Sequence, residues 1–219
     1  LTDFETFATG GVWPVGISKE HGAPRVSDGY GEVGGEKRNG NGHLGVDIMF
    51  RRPTKGEFDR PTETPHFRMP NNVLALSCHR GTVWSVDRDP QGFVVKIDHG
   101  FPWLSVYRHL KNPTVTKGQS VGPGHPVGTI GHDPRNSKGI NHLHFEVWDT
   151  SRGNVNTRAA RSIDPAPFLK RWLKVGAEGQ KEAAPHSVVS ARPGAATMGE
   201  ASAIGVDIAD GGIGKGIIS

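Results

Sequence analysis

The sequence predicts an all-β fold of largely antiparallel strands. Three observations predict it. Glycine and proline are frequent, 31 and 16 of 219 residues, while hydrophobic residues make up only 34%, a balance that suits a turn-rich β protein better than a helical bundle. From Asn72 to Trp148 the chain runs in short β-branched or aromatic segments, "VLALSC", "TVWSVD", "FVVKIDHG", "LSVYRHL" and "HLHFEVW", with turn signals between them. Between two of these, "DRDPQG" has the residues of a hairpin turn.

The remaining elements follow in order. Residues 1–10 carry little signal and are read as an N-terminal lead. Gly11 to Asp47 is rich in glycine and turn residues ("SDGYGEVGG", "NGNGHLGVDI") and reads as loops with short strands. Residues 51–70 are polar and proline-rich with no clear period, the mark of a long loop or insertion; such loops are more often functional than accidental. One helix is expected, in "SIDPAPFLKRWLKVG", with Asp164 as N-cap, Pro165 as first helical residue, Phe168, Leu169, Trp172 and Leu173 as an apolar face, and Gly176 as a stop. Residues 11–174 thus form the predicted domain. Residues 175–219 are Ala/Gly-rich and read as a linker or tail; an ordered tail of that composition implies a partner chain or its own domain holding it.

Charge and cysteine content bound the function classes. A net charge of +4 suits an anionic partner such as a cell wall, a membrane surface or nucleic acid without choosing among them, and no basic stripe interleaved with aromatics points to nucleic acid. The single cysteine, Cys78, allows no internal disulfide, and its apolar surroundings make it a small buried hydrophobe. No apolar run is long enough for a transmembrane segment. The first residue is Leu1, not methionine, which suggests a processed chain or a piece of a larger one.

Chemistry concentrates in "NHLHFEVW". Strand alternation puts His142, His144 and Glu146 on one face and Leu143, Phe145 and Val147 on the other. Upstream, "GHLGVDI" sets His43 and Asp47 four apart, and imidazole and carboxylate are both zinc ligands. In "LSVYRHL", Tyr107 and His109 would share a face. Together His43, Asp47 and His144 make a two-histidine, one-carboxylate set with an open position, the pattern of catalytic zinc.

Taken jointly, these motifs resemble the lysostaphin/LytM-type zinc metallopeptidases, which cut peptide bonds in bacterial peptidoglycan. "VWPV" and "VSDGYGEVGG" resemble that family's opening segment, "GHLGVDI" its H-x-x-x-D motif, "GTVWSVDRDPQGFVVKIDHGFPWLSVYRHL" its central hairpin and Y-x-H-L motif, "KGQSVGPGHPVGTIG" its glycine-rich turns, "GINHLHFEVW" its H-x-H motif and "IDPAPFL" its closing segment. The resemblance runs from about Gly11 to Leu173. It implies a small antiparallel β-sandwich of the duplicated hybrid motif kind, one Zn²⁺ per chain on His43, Asp47 and His144, and His142 and His109 as catalytic histidines. His142 is read as proton acceptor and His109 as donor to the oxyanion, with Glu146 orienting an imidazole. Tyr107, Arg51 and Arg52 are read as the rim of the substrate groove. The insertion after Asp47, and Asn141 where the family often has proline, depart from the pattern.

The expected activity is a zinc endopeptidase on peptidoglycan stem peptides or crossbridges, outside the cytoplasm: extracellular, periplasmic, or in a phage virion as a lysin. The rival is a latent or non-catalytic wall-binding member of the family within a larger assembly. A polar side chain could occupy the open metal position in such a member, and Asn39 and Asn41 are the candidates. A cupin is disfavoured, because its Glu lies further from H-x-H and a second histidine motif should follow.

Overall fold

A computed structural model describes residues 3–33, 36–37, 42–51, 67–135, 139–151 and 161–176. The expectations for Asn39, Asn41, Arg52, most of the insertion and the tail from 177 onward lie outside the described residues. The chain is all-β, as its composition and turn spacing predict. Its strands are β1 (Pro24–Asp28), β2 (Glu32–Val33), β3 (Glu36–Lys37), β4 (Val46–Arg51), β5 (Phe67–Arg68), β6 (Leu74–Leu76), β7 (Gly81–Asp89), β8 (Gly92–Asp98), β9 (Trp103–Pro113), β10 (Ser120–Val121), β11 (Pro126–Ile130), β12 (Leu143–Asp149) and β13 (Ser162–Ile163).

Apart from the β2–β3 hairpin, these strands pair antiparallel in one branched sheet of order β1-β4-β12-β9-β8-β7-β10. Strand β11 branches from β9 and carries β6, while β5 and β13 extend the edges of β4 and β12. The β7–β8 hairpin turns at Asp89–Gly92, where the Gln91 N–H donates to Asp89 Oδ1 at 2.7 Å and Gly92 has φ +108°, a conformation glycine adopts without penalty. Strand β12 is central. It pairs with β4 on one side, setting His144 opposite Asp47, and with β9 on the other, setting His144 opposite Arg108.

Period-two alternation decides what β12 buries. Leu143, Phe145 and Val147 are fully buried in the main apolar core with Val46, Ile48, Tyr107 and Ile97. Burying side chains of this size contributes roughly 1.5–3 kcal/mol each. The opposite face of β12 carries His144 and Glu146 and is left for chemistry.

Both ends of the described chain close the core. Residues Asp3–Ala8, in which the sequence shows no element, form a short helix, α1. Its Phe7 is buried in a ring cluster, stacked on Trp103 at 5.3 Å and edge-on to Phe168 and Trp172. The second helix, α2, spans only Ala166–Leu169. The N-cap position falls on Pro165, one residue later than predicted, and no side chain at that position caps the helix; Asp164, just before it, accepts from the Ala166 N–H at 2.9 Å, and Phe168, Leu169 and Trp172 are buried as expected. Leu173 is not on a buried helical face: it is 68% exposed. Its backbone instead accepts from Trp13 N–H at 2.8 Å and donates to Gly11 O at 3.1 Å, so this parallel bridge takes the chain out of the helix before the predicted stop. Trp13 Nε1–H also donates to Leu169 O, which fastens the two ends together.

Candidate metal centre

Three donor atoms converge where β4 meets β12. His43 lies in the loop before β4, held by the Gly31 N–H donating to its carbonyl at 2.7 Å. Asp47 is on β4, and His144 lies directly across from it on β12. His43 Nε2 is 2.9 Å from Asp47 Oδ1 and 2.9 Å from His144 Nδ1, and His144 Nδ1 is 3.0 Å from Asp47 Oδ1. Gly45 permits this approach. A Cβ there would lie 2.4 Å from Phe145 O and 2.9 Å from both His144 Nε2 and the Glu146 side chain, closer than atoms can pack.

The partners of the outer ring nitrogens decide what this triangle holds. His43 Nδ1 is 2.8 Å from Gly29 O and donates its proton there. His144 Nε2 is 3.1 Å from Glu146 Oε1 and donates to that fully buried carboxylate. In the neutral rings, the two nitrogens facing inward are therefore lone pairs. Burial pushes the Asp47 carboxyl up, but in the protonated rings the inward N–H groups of His144 and His43 donate to it, outweigh burial and hold the group well below the usual carboxylate range. Burial likewise opposes a charged His43, yet Asp47 and the Gly29 carbonyl outweigh it and raise that ring above its ordinary value. Both shifts mark a place that draws in positive charge. Two imidazole lone pairs and one carboxylate within 3.0 Å of one another repel unless a cation or protons lie among them. A tetrahedral ion with ~2.0–2.1 Å bonds needs donors roughly 3.3 Å apart, so a small opening of the triangle admits it.

Two further histidines border the triangle. The His142 ring is 4.7 Å from that of His109, and His142 Nε2 is 3.8 Å from Asp47 Oδ2. His142 Nδ1–H donates to Ile140 O at 2.9 Å, and His109 Nδ1–H donates to Gln91 O at 3.0 Å. Each neutral ring thus presents Nε2 as an acceptor. Burial, then the adjacent His142, lowers the His109 pKa to about 4.

Alternation predicts that Tyr107 and His109 share a face, and the structure corrects this. Residue 109 has φ +60°, the left-handed region that non-glycine residues seldom enter. The β9 register against β8 and β11 shifts around the same point. His109 leaves the period and turns beside His142, while Tyr107 stays with the core. Tyr107 is fully buried, edge-on to Phe145, with its hydroxyl accepting from the Cys78 N–H at 2.8 Å. It cannot be a groove rim. Arg51 is exposed at the end of β4, two alternations beyond Asp47, and Arg52 lies outside the described residues.

Sequence reading missed Arg108. It sits between Tyr107 and His109, opposite His144, and its alternation places it on the His144 face. Arg108 pairs with Asp89, donates to Gln91 Oε1 at 3.0 Å, and has Nε 3.8 Å from Glu146 Oε1. It thereby ties the carboxylate behind His144 to the hairpin turn whose Gln91 carbonyl holds His109. The signal was its place in the strand period. The bland readings of two other residues fit the structure. Burial raises the Cys78 thiol to about 12, and His99 is held by Arg80 O and Ser105 Oγ.

Residues 62–159 match the family model described as Peptidase family M23. That segment, a little under half of the chain, is similar to that family. That match contains His109, His142 and His144; His43 and Asp47 lie upstream of it and are joined to the M23 segment by the β4–β12 pairing. Stage II sporulation protein Q of Bacillus subtilis (strain 168) is 32% identical over 68 residues, covering 31% of this chain and 24% of that protein, so the match spans about a quarter of the relative's length. The solved SpoIIQ–SpoIIIAH pore-forming complex contains a chain 19% identical, with a TM-score of 0.50, covering 80% of this chain and 98% of that one, a likeness of fold. The catalytic domain of lysostaphin from Staphylococcus simulans is 21% identical at a TM-score of 0.46, over 67% of this chain and 91% of that one.

Proposed function

We propose that this chain is an M23-type zinc-dependent endopeptidase that cleaves peptide bonds of bacterial peptidoglycan, with residues 11–174, joined by the core-packed α1, as its catalytic domain and one Zn²⁺ held by His43, Asp47 and His144. The observation that carries this is the inward-facing triangle of two imidazole lone pairs and a carboxylate, whose outer nitrogens are already committed to Gly29 O and Glu146. Zn²⁺ held by these three residues would supply a nucleophile at neutral pH and would polarise the scissile carbonyl.

His142 is assigned as the proton acceptor. Its Nε2 is unprotonated in the neutral ring, and the imidazolium it becomes is stabilised by Asp47 Oδ2 at 3.8 Å before it passes the proton to the leaving amine. The oxyanion-donor role read for His109 from sequence fits less well. Its proton is spent on Gln91 O and burial opposes a second one. His109 is assigned instead as an acceptor that orients the attacking O–H or the departing N–H. Glu146 and Arg108 hold His144 in its donor tautomer.

On this reading the protein works outside the cytoplasm, secreted, periplasmic or carried on a phage particle. No helix among the described residues is long and apolar enough to cross a membrane. The test is digestion of purified cell walls with mass spectrometry of the released muropeptides. Chelation should abolish release and Zn²⁺ restore it; full activity in metal-free protein overturns the reading. The second reading, a non-catalytic family member in a larger assembly, is supported by the partial likeness to the sporulation protein and to a chain solved with its SpoIIIAH partner. Zinc bound without any muropeptide release would favour it.

A further inference from the structure

His109 has a backbone φ of +60°, a conformation that a non-glycine residue keeps only when its surroundings impose it. Two contacts do so. The Gly131 N–H donates to His109 O at 2.8 Å, and His109 Nδ1–H donates to Gln91 O at 3.0 Å. Gln91 stands at the tip of the β7–β8 hairpin. Such tips are ordinarily among the more mobile parts of a sheet, so a carbonyl there positions an imidazole only as well as the tip itself is held. The rest of Gln91 supplies that hold. Its N–H donates to Asp89 Oδ1 at 2.7 Å, its Oε1 accepts from Arg108 Nη2 at 3.0 Å, and its Nε2 donates to Asp133 Oδ2 at 3.3 Å. Asp133 is fixed in turn by Arg135, whose Nη2 donates to Oδ2 at 2.6 Å and whose Nε donates to Oδ1 at 3.0 Å. That guanidinium holds the Asp133 carboxyl well below the usual carboxylate range, so the acceptor for Gln91 stays ionised. The same segment frames both site histidines, because Gly131 O accepts from the His142 N–H at 3.0 Å.

We propose that Gln91 is a positioning residue for the reaction: its side chain clasps the hairpin tip between Arg108 and Asp133, so that its carbonyl keeps the His109 ring beside His142. The proposal deepens the endopeptidase reading and rests on it for the word reaction. Only the side chain is at issue, because any residue at this position keeps the carbonyl. With the clasp closed, His109 Nδ1 is committed to the tip and Nε2 is the ring's acceptor. With it open, the tip drifts and the imidazole drifts with it, and a misplacement of about 1 Å can slow a positioned reaction by roughly 100-fold. The hydrogen bonds of Gln91 go to Asp89, Arg108, His109 and Asp133 and to none of His43, Asp47 and His144. Opening the clasp should therefore fall on turnover and leave zinc in place.

The test compares Gln91→Met, Asp133→Ala and the double variant with the unaltered chain, all loaded with zinc. Methionine matches the length of glutamine and removes both side-chain hydrogen bonds while keeping the backbone groups. The readouts are zinc content, muropeptide release from purified walls at saturating and limiting wall concentrations, and the NMR signal of His109 Nδ1–H with its rate of exchange with water. Gln91→Met should keep its zinc and release muropeptides about tenfold more slowly at saturating walls, with the half-saturating concentration unchanged. Its His109 proton should exchange about threefold faster or more. Asp133→Ala leaves residue 91 untouched and should speed the same exchange. In the Gln91→Met background it should add nothing, because its action passes through Gln91. An unchanged His109 signal in Gln91→Met, equal losses of zinc and turnover, or additive effects in the double variant each overturn the proposal. If the unaltered chain releases no muropeptide, the endopeptidase reading fails, while the His109 signal still decides whether Gln91 holds the ring. If Gln91→Met cleaves walls at the unaltered rate, the endopeptidase reading stands and the positioning role falls.

Discussion

Glu146, with none of its surface exposed, accepts a hydrogen bond from His144 Nε2 at 3.1 Å through one oxygen and from Trp148 Nε1 at 2.8 Å through the other. A carboxylate can serve both donors; a glutamine can serve only one, because its second position is an N–H₂ group. Glu146→Gln should therefore lower zinc affinity about 10–100-fold while the fold persists. Competition with a chelator of known strength measures this. Unchanged affinity would remove Glu146 from any part in holding the metal.

His144 and His142 stand two apart, yet their variants should behave differently. His144→Ala removes a donor atom of the triangle and should lose zinc, read by metal analysis after dialysis. His142→Ala leaves the triangle intact and should keep zinc while losing roughly 10²–10⁴-fold in turnover. Equal loss of metal in both would show that the division between ligand and proton carrier is wrong.

Gly45 is packed against backbone that cannot move away cheaply. Gly45→Ala should lower both melting temperature and zinc content, because Phe145 O lies 2.4 Å from where the new Cβ would be placed. Gly22→Ala is a useful companion: its added Cβ meets nothing within 4 Å, although its φ of +75° costs some stability. If Gly45→Ala retained full zinc content, the tight passage of the His43 loop over β12 would not be required for the site.

Stability should fall on mild acidification. Burial, chiefly, holds the folded pKa of His99 to about 4, against an ordinary value near 6.5. Between these values the unfolded chain binds a proton that the folded one refuses. Stability is therefore full above about pH 6.5, falls as pH drops towards 4, and levels off below it. His109 contributes with the same sign, since its folded pKa is also about 4. Thermal melts of metal-free protein across this range should show the slope, and His99→Gln should make it shallower. A slope untouched by that change would assign the acid sensitivity elsewhere.

Much of the architecture was legible because it rests on local rules. The β7–β8 hairpin follows from Asp89, Pro90, Gln91 and Gly92, and the division of β12 into core and site faces follows from its two-residue period. Helix α1 was not legible. Six residues with two phenylalanines have no helical signal of their own, and Phe7 is held by rings from Trp103, Phe168 and Trp172 far along the chain. The short α2 was overread for a related reason: Leu173 has helical spacing, but pairing with Gly11 and Trp13 outweighs one more helical turn.

By itself, the sequence determined which residue types face which side of each strand, and so that His144 and Glu146 share the surface opposite the core. Only the tertiary structure decided what those residues meet. Asp47 reaches His144 because β4 lies beside β12, and His109 joins His142 because its backbone leaves the strand period that would have sent it into the core with Tyr107. Arg108 acquires its part because β9 flanks β12 on the other side. Alternation is a property of one strand and is carried by its own residues. Adjacency and a left-handed break are set by packing between segments distant in the chain, and no local pattern contains them.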